Sequence, residues 1–248
     1  MADTQLLLWN SSTRESAPLP HADFNELHSS FGLGYDATSD GYKILKLNIT
    51  NYPKQWIEIL TLKSGSWRKI SCLPTVICPT TGCKLEIYPY PNKIVDPMVY
   101  VHAAFHWLGY LFRRKYYVVS FDISNEVFGV VPLLEDMFVG VDQGLPDSGL
   151  SLLDGMLCFH ITAKDDSMGM FKLWAMKDYD VKESWIVLFT IQVDYLAIAK
   201  PKYRFPDGDV LLYSRGDPTS RFKTSDLHIS DIQRKIWILA SLTLWLQR

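Results

Sequence analysis

The sequence is a succession of short apolar runs, each of which ends at a turn signal. Tyr42–Ile49 alternates apolar and polar side chains with a period of two and follows Asp40-Gly41, a pair typical of hairpin turns. Tyr116–Ile123 and Trp185–Val193 are also of strand length, and helical periodicity stays weak until Ile232–Leu246, which fits either element. The pattern therefore predicts an all-β chain: a sandwich, a barrel or a propeller.

A longer repeated phrase favours the propeller. An aromatic and aliphatic strand leads into a polar turn with an acid and then into a second strand, with copies that begin near Leu8, Ser120 and Leu173. The better-marked copies are about 50 residues apart, which is the length of a four-stranded propeller blade. One blade cannot bury its apolar face alone, so blades stack to form a core. We predict a propeller-like ring of about five to six four-stranded (kelch-like) blades, with incomplete closure left open.

The composition supports a folded core and excludes several classes of protein. Hydrophobic residues make up 48% of the chain, which is enough for a sizeable core. The formal net charge is −2 and no basic stripe for a nucleic acid is present. No apolar run approaches the roughly 20 residues that span a bilayer, and Met1–Asn10 lacks a signal-peptide pattern. We expect a soluble protein of the cytoplasm or nucleus that binds neither nucleic acid nor membrane.

The cysteines do not form a metal-binding pattern. Cys72, Cys78 and Cys83 are spaced by six and five positions, whereas a structural zinc site prefers tighter pairs with a fourth ligand nearby. We therefore predict free thiols and no bound metal. Cys158 lies in an apolar strand and is predicted to be an inert core thiol.

Other motifs also lack the partners that chemistry would need. His102 and His106 are predicted to share one face of a single strand as structural histidines, because no third ligand accompanies them. Gly32 and Gly34 form half of a dinucleotide fingerprint without its third glycine, and are predicted to permit a turn or a close backbone approach. No Gly-x-Ser-x-Gly elbow occurs. We predict no catalytic residue and no cofactor.

The densest basic run is the candidate binding site. Arg113, Arg114 and Lys115 fall between two aromatic segments and precede Tyr116, so they are predicted to tip a hairpin. A solubilising turn is the ordinary interpretation. Because Arg and Tyr are favoured anchors of protein interfaces, the alternative is a surface that binds a target protein.

These phrases, taken together, resemble a known family. In order along the chain, the sequence is similar to the F-box-associated domain of plant F-box proteins, including kelch-like and S-locus-type members, over roughly residues 5 to 215. The segments that carry the resemblance are Leu7–Glu15, Phe31–Asp36, Asp40–Leu45, Gly65–Arg68, His102–Trp107, Val119–Asp122, Leu173–Tyr179, Lys182–Trp185 and Asp207–Leu211.

The resemblance implies a substrate receptor. In that family the F-box docks on the Skp adaptor of a cullin ubiquitin ligase, and the associated domain holds the protein to be ubiquitylated. No F-box precedes the first phrase, so the adaptor and cullin are expected partners only of a longer protein that carries one. We expect the propeller-like domain over residues 1–216 and a divergent segment over 217–248. A glycan-binding or hydrolytic propeller, or a truncated fragment that holds a target without delivering it, remain the alternatives.

Some positions depart from the family pattern. Ala103 and Asp180 stand where the family usually has glycine.

Four tryptophan side chains are expected to be buried where blades meet, and each would stabilise the fold by roughly 2–3 kcal/mol. These are Trp9, Trp107, Trp174 and Trp185.

Overall fold

The computed structural model describes residues 6–10, 12–21, 29–48, 56–70, 75–77, 84–86, 88–89, 98–111, 115–138, 147–164, 169–193, 198–206, 210–215 and 236–240. These residues lie mostly in β-strands and in the turns between them, with short 3-10 segments at Glu135–Phe138 and Lys182–Ser184. The predicted all-β class is confirmed. The chain forms two compact units, Met1–Val130 and Val131–Arg248.

The first unit is built of antiparallel sheets. A hairpin, β1–β2, is followed by the four-stranded sheet β3–β4–β5–β6, by the pair β7–β8, and by the sheet β10–β11–β12–β13, whose β11 also pairs with β9. The strands are β1 (Leu7–Asn10), β2 (Glu15–Pro18), β3 (Ser29–Asp36), β4 (Gly41–Asn48), β5 (Trp56–Thr61), β6 (Ser66–Ile70), β7 (Thr75–Ile77), β8 (Lys84–Glu86), β9 (Tyr88–Pro89), β10 (Val99–Val101), β11 (Ala104–Leu111), β12 (Lys115–Asp122) and β13 (Val127–Val131).

Hairpin turns follow the predicted sequence signals. Asp40, immediately before Gly41, has a φ of 48° in the turn between β3 and β4. Gly65 has a φ of 63° in the turn between β5 and β6. These left-handed conformations suit glycine, and aspartate tolerates them better than most residues. Four antiparallel strands joined by such turns have the form of a propeller blade.

β4 is buried more completely than the sequence predicts. The polar residues of its alternating pattern, Lys43, Lys46 and Asn48, are 7%, 0% and 3% exposed. Leu45 and Leu47, which share a face of the strand with Lys43, join a core cluster that includes Phe105 and Phe121 of the next sheet. β4 is an interior strand with both faces covered, so its period-two alternation does not mark a solvent face.

Two glycines bring the first four-stranded sheet against the second. A Cβ atom on Gly32 would lie 2.7 Å from the Phe105 ring, and one on Gly34 would lie 2.6 Å from the Tyr100 ring. Any side chain at these positions would therefore collide with an aromatic ring. The close backbone approach predicted for this pair is confirmed.

The two histidines of the sequence motif do not share a strand. A turn at His102 and Ala103, whose φ angles are 51° and 58°, interrupts the single strand predicted to carry both histidines. Positive φ at both central residues is the geometry of a tight hairpin turn, which joins β10 to β11. His102 is exposed in this turn, whereas His106 is buried in β11. The prediction of one shared strand face was wrong.

The second unit contains the four-stranded sheet β14–β15–β16–β17 and the sheet β18–β19–β20. β20 pairs with β19 in parallel. The segment Ile232–Leu246, whose pattern fits either a helix or a strand, therefore contains a strand. The strands are β14 (Asp147–Leu153), β15 (Met156–Lys164), β16 (Gly169–Met176), β17 (Trp185–Val193), β18 (Ile198–Arg204), β19 (Val210–Arg215) and β20 (Ile236–Ala240). Val210 and Leu212 pack with Leu173 and Leu188 in one core cluster.

The tryptophans only partly follow the expectation. Trp107 and Trp185 are 6% and 4% exposed, and the Trp185 indole nitrogen donates to the Pro132 carbonyl oxygen over 2.8 Å. Trp174 is half-buried. Trp9, by contrast, is 57% exposed, because it lies on a hairpin with no further strand hydrogen-bonded to it among the described residues. Among those residues, no helix is long and apolar enough to cross a bilayer.

Candidate target-binding surface

The sequence-predicted binding residues lie at the connection between β11 and β12. Arg113 and Arg114 fall outside the described residues. Lys115 begins β12 and pairs in register with Leu111, and Tyr116 is half-buried. The assignment of this run to target binding therefore stays a prediction.

A polar cluster ties together two turns at the other end of β12. Asp36, which ends β3, accepts a hydrogen bond from Ser124 Oγ over 2.7 Å. The buried Lys43 Nζ lies 2.8 Å from Asp36 Oδ2 and donates to the carbonyl oxygen of Ile123 over 3.0 Å. We call Asp36, Lys43 and Ser124 the turn junction. Its hydrogen bonds hold the turn between β3 and β4 beside the turn between β12 and β13.

The electrostatics of the turn junction favour the ionised carboxylate. The Lys43 ammonium, followed by the hydroxyls of Ser39 and Ser124, holds the pKa of Asp36 well below its ordinary value. Outside this buried pair, Arg68 Nη2 lies 2.6 Å from both carboxylate oxygens of Glu126. The junction is thus a paired charge network that fixes one sheet against the next.

An exposed aromatic patch lies beside this junction. Leu33, Tyr35 and Tyr42 are 44%, 41% and 52% exposed, and together we call them the aromatic patch. Tyr35 and Tyr42 are register partners whose ring centroids are 5.3 Å apart, edge to face. The Tyr35 hydroxyl donates to the Asp40 carboxylate, which raises the pKa of Tyr35.

Two side-chain hydrogen bonds to backbone carbonyl oxygens hold the aromatic patch in place. Tyr100 donates its hydroxyl hydrogen to the Tyr35 carbonyl oxygen over 2.5 Å. At the rim, Lys63 Nζ donates to the Ser39 carbonyl oxygen over 2.9 Å. Exposed tyrosines held in place lose little conformational freedom on binding, which makes them effective anchors for a protein partner.

Two buried titratable side chains, His106 and Cys158, have pKa values that burial shifts towards the neutral form. Burial lowers the pKa of His106 to about 4 and raises that of the Cys158 thiol to about 12. Cys158 is free and buried, as predicted. Within the ranges that the structure describes, no three His, Cys, Asp or Glu side chains are grouped closely enough to hold a metal ion. Cys72, Cys78 and Cys83 lie outside those ranges.

Sequence reasoning missed the aromatic patch and the turn junction. The alternating pattern of Tyr42–Ile49 predicts a strand but does not show what covers Tyr42 or Lys43. The usable signal was the hairpin register, since the Asp40-Gly41 turn places Tyr35 opposite Tyr42. The same register places Asp36 diagonal to Lys43 on the other face of the hairpin, whereas the burial of this pair depends on the second sheet.

Comparison with known proteins gives one consistent result. The chain is 28% identical to F-box protein CPR1 of Arabidopsis thaliana over 213 residues, which cover 76% of this chain and 48% of the relative. It is also 28% identical to the Arabidopsis thaliana F-box/LRR-repeat/kelch-repeat protein At2g27520 over 203 residues, or 78% and 50% of the two chains. The chain therefore spans about half the length of the curated relatives it matches. No solved structure shows a significant match.

The family model matches a longer part of the chain than any single sequence motif does. It matches residues 1–197 and describes the F-box associated beta propeller domain. The blade-like sheets β3–β6 and β14–β17 lie within this range. We conclude that the chain belongs to the F-box associated beta propeller domain family.

Proposed function

We propose that this chain is the substrate-recognition domain of an F-box protein that serves a Skp–cullin–F-box ubiquitin ligase. The family match over residues 1–197 carries the proposal. The matched relatives are named F-box proteins, and the chain aligns with about half of each. In the complete protein, an F-box would bind the Skp adaptor and this domain would bind the protein to be ubiquitylated. The site of action would be the cytoplasm or nucleus.

The geometry supports binding through exposed side chains held on a rigid sheet. The aromatic patch offers two tyrosines and a leucine that are each more than two-fifths exposed. Tyr and Arg are over-represented among residues that dominate interface energies. We assign the aromatic patch as one target contact and keep the run Arg113, Arg114, Lys115 and Tyr116 as a second. The two surfaces share no residue, so each can be tested alone.

The test compares the chain alone with the chain fused behind an F-box. Each is expressed in plant cells, bound proteins are identified, and protein abundance is measured with and without an inhibitor of cullin neddylation. We expect at least one protein bound by the chain alone to fall in abundance with the fusion and to recover with the inhibitor. If no bound protein responds in this way, the receptor function is refuted.

Two variants then locate the contact. Tyr35→Ser with Tyr42→Ser should weaken target capture by about tenfold, because each removes an exposed anchor. Charge reversal at Arg113, Arg114 and Lys115 tests the second surface in the same assay. Val187→Ser is the matched control, since Val187 is 46% exposed on a strand of the other unit. Unchanged capture by either variant would discard that surface.

A further inference from the structure

The hairpin β1–β2 has no further strand paired with it among the described residues. Leu7 and Trp9, which share one face of β1, are 60% and 57% exposed. A two-stranded hairpin is marginally stable at best in water and needs further strands or a packed face. The two exposed apolar side chains therefore mark β1 as a surface that another element covers.

The turn of this hairpin has the same hydrogen bonds as the turn between β12 and β13. Asn10 Oδ1 accepts from the backbone nitrogens two and three positions later over 2.9 and 3.4 Å, and Asp122 Oδ1 does so over 2.8 Å in each case. The residue four positions later donates its backbone N–H to the carbonyl oxygen of Asn10 or Asp122. Its φ is positive in both turns, 60° at Arg14 and 55° at Glu126. We call β12–β13, the last two strands of their sheet, its outer pair, and β10–β11 its inner pair. The hairpin β1–β2 is thus built like an outer pair.

The hairpin differs from an outer pair in what lies beside its aromatic residue. Phe121 of β12 pairs in register with Phe105 of β11 and is 0% exposed. Trp174 of β16 likewise pairs with Phe159 of β15. Trp9 holds the equivalent place one residue before the turn, but the part of the chain that the structure describes has no strand on that side of β1. A neighbouring strand with a large apolar residue would cover Trp9.

The order of strands indicates where such a neighbour lies. In β3–β6, β10–β13 and β14–β17 the strands are adjacent in the order of the sequence, so each inner pair precedes its outer pair. By the same order, the inner pair of β1–β2 would precede Leu7. Six residues of this chain do so, whereas β10–β11 spans residues 99–111. Two of the matched relatives align over 48% and 50% of their length, so a complete protein has room for the pair.

We propose that the free edge of β1 binds an antiparallel β-strand from a segment that precedes this chain in the complete protein, with a large apolar residue opposite Trp9. Backbone hydrogen bonds along Leu7–Asn10 would hold the strand, and the cross-strand contact with Trp9 would fix its register. The occupant would be an inner pair, which makes β1–β2 part of a four-stranded blade. The inference goes beyond the proposed function, because it needs a longer protein but no ligase.

The first test compares this chain with the complete protein, whose sequence is read from transcripts of the same gene. Hydrogen exchange of the β1 amides is followed by mass spectrometry in both proteins. We expect these amides to exchange at least about tenfold more slowly in the complete protein, because an added strand must open before they are exposed. The interior strand β15 is the reference and should exchange equally in both.

A substitution adds a side-chain readout. Trp9→Ser should lower the thermal unfolding midpoint of the complete protein by about 5 °C, because it removes a covered aromatic residue. The same change should shift the midpoint of this chain little, since Trp9 is 57% exposed there. Tyr203→Ser is the matched control. Tyr203 is a 53% exposed aromatic residue on β18, and its substitution should shift both midpoints equally.

Several results would overturn the inference. Transcripts that encode nothing before Met1, equal exchange of β1 in both proteins, or equal midpoint shifts with Trp9→Ser would each do so. Protection of β1 that appears only when a captured protein is bound would assign the edge to the target and would also overturn it. The F-box fusion assay does not depend on β1 exchange, so a failed receptor function and a failed strand pairing are distinguishable.

Discussion

Lys43 Nζ donates a hydrogen bond to the carbonyl oxygen of Ile123 over 3.0 Å, although the two residues are 80 positions apart in the chain. The same ammonium lies 2.8 Å from Asp36. One buried cation thus joins the end of a hairpin in the first four-stranded sheet to the turn that closes the next. Buried charges are tolerated only when they are paired and hydrogen-bonded, and Lys43 meets both conditions.

Removing the Asp36 carboxylate should leave the buried Lys43 ammonium with a more distant carboxylate, since Glu126 Oε1 lies 3.8 Å from Nζ. We expect Asp36→Ala to lower the free energy of unfolding by about 2–3 kcal/mol, as measured by urea denaturation. The double variant Asp36→Leu with Lys43→Met should lose less, because it removes both charges and restores apolar contact. Equal losses in the single and double variants would show that the pairing does not matter.

The glycine of the first sheet supplies a test of packing between sheets. Gly32→Ala places a Cβ atom 2.7 Å from the buried Phe105 ring, so we expect it to destabilise the fold by about 1–3 kcal/mol. Gly41→Ala is the matched control. Its Cβ would meet only the flexible Lys63 side chain at 3.3 Å, and the unfolding midpoint should shift little. A larger effect at Gly41 than at Gly32 would contradict this packing.

Substitutions in two turns should change the free energy of unfolding in opposite directions. Ala103 has a φ of 58°, in the region that favours glycine, so Ala103→Gly should stabilise the fold by roughly 0.5–1 kcal/mol. Gly155 has a φ of 75° with open space around its Cα atom, so Gly155→Ala should destabilise it through backbone strain alone. Thermal unfolding of both variants checks the signs, and the same sign in both would contradict the turn geometry.

The buried histidines predict how stability depends on pH. Burial lowers the pKa of His160 to about 3, with Lys202 acting in the same direction, and lowers that of His106 to about 4 beside His102. Below pH 6.5 the unfolded chain gains protons that the folded chain does not, so stability should fall as the pH falls from 6.5 to 5. Each histidine contributes a slope that approaches about 1.4 kcal/mol per pH unit.

Replacing one ring isolates this effect. His160→Phe should flatten the slope of stability against pH, measured by urea denaturation at pH 6.5, 6.0, 5.5 and 5.0. Within the part of the chain that the structure describes, neither His160 ring nitrogen has a hydrogen-bond partner, so phenylalanine also removes an unsatisfied buried group. An unchanged slope in His160→Phe would mean that this histidine takes up its proton over the same pH range in the folded and the unfolded chain, contrary to its lowered pKa.

Local sequence signals were sufficient for the strands and for several turns. Asp40-Gly41, Asp154-Gly155 and Ser124-Asn125-Glu126 each lie in the turn that their residue types predict. The interruption at His102 and Ala103 was missed because neither residue type signals a turn. The departure from the family's usual glycine at position 103 was the available clue, and the positive φ there explains the family preference.

The burial of both faces of β4 could not be derived from the sequence of that strand alone. Lys46 is 0% exposed because it lies on an interior strand, where its Nζ is 2.8 Å from Glu58 Oε2. The same limit applies to Tyr35 and Tyr42, whose exposure depends on what covers the sheet. Pairing between distant residues, such as Asp36 with Ser124, is a property of sheet stacking rather than of local sequence.

Reconstituted ubiquitylation tests the central claim most directly. The chain fused behind an F-box, the Skp adaptor, the cullin and the captured protein would be combined with ubiquitin and its activating enzymes, and conjugates on the captured protein would be quantified. We predict conjugates that require both the F-box and this chain and that diminish with Tyr35→Ser and Tyr42→Ser. Conjugates of equal yield without the chain, or none with it, would contradict the account.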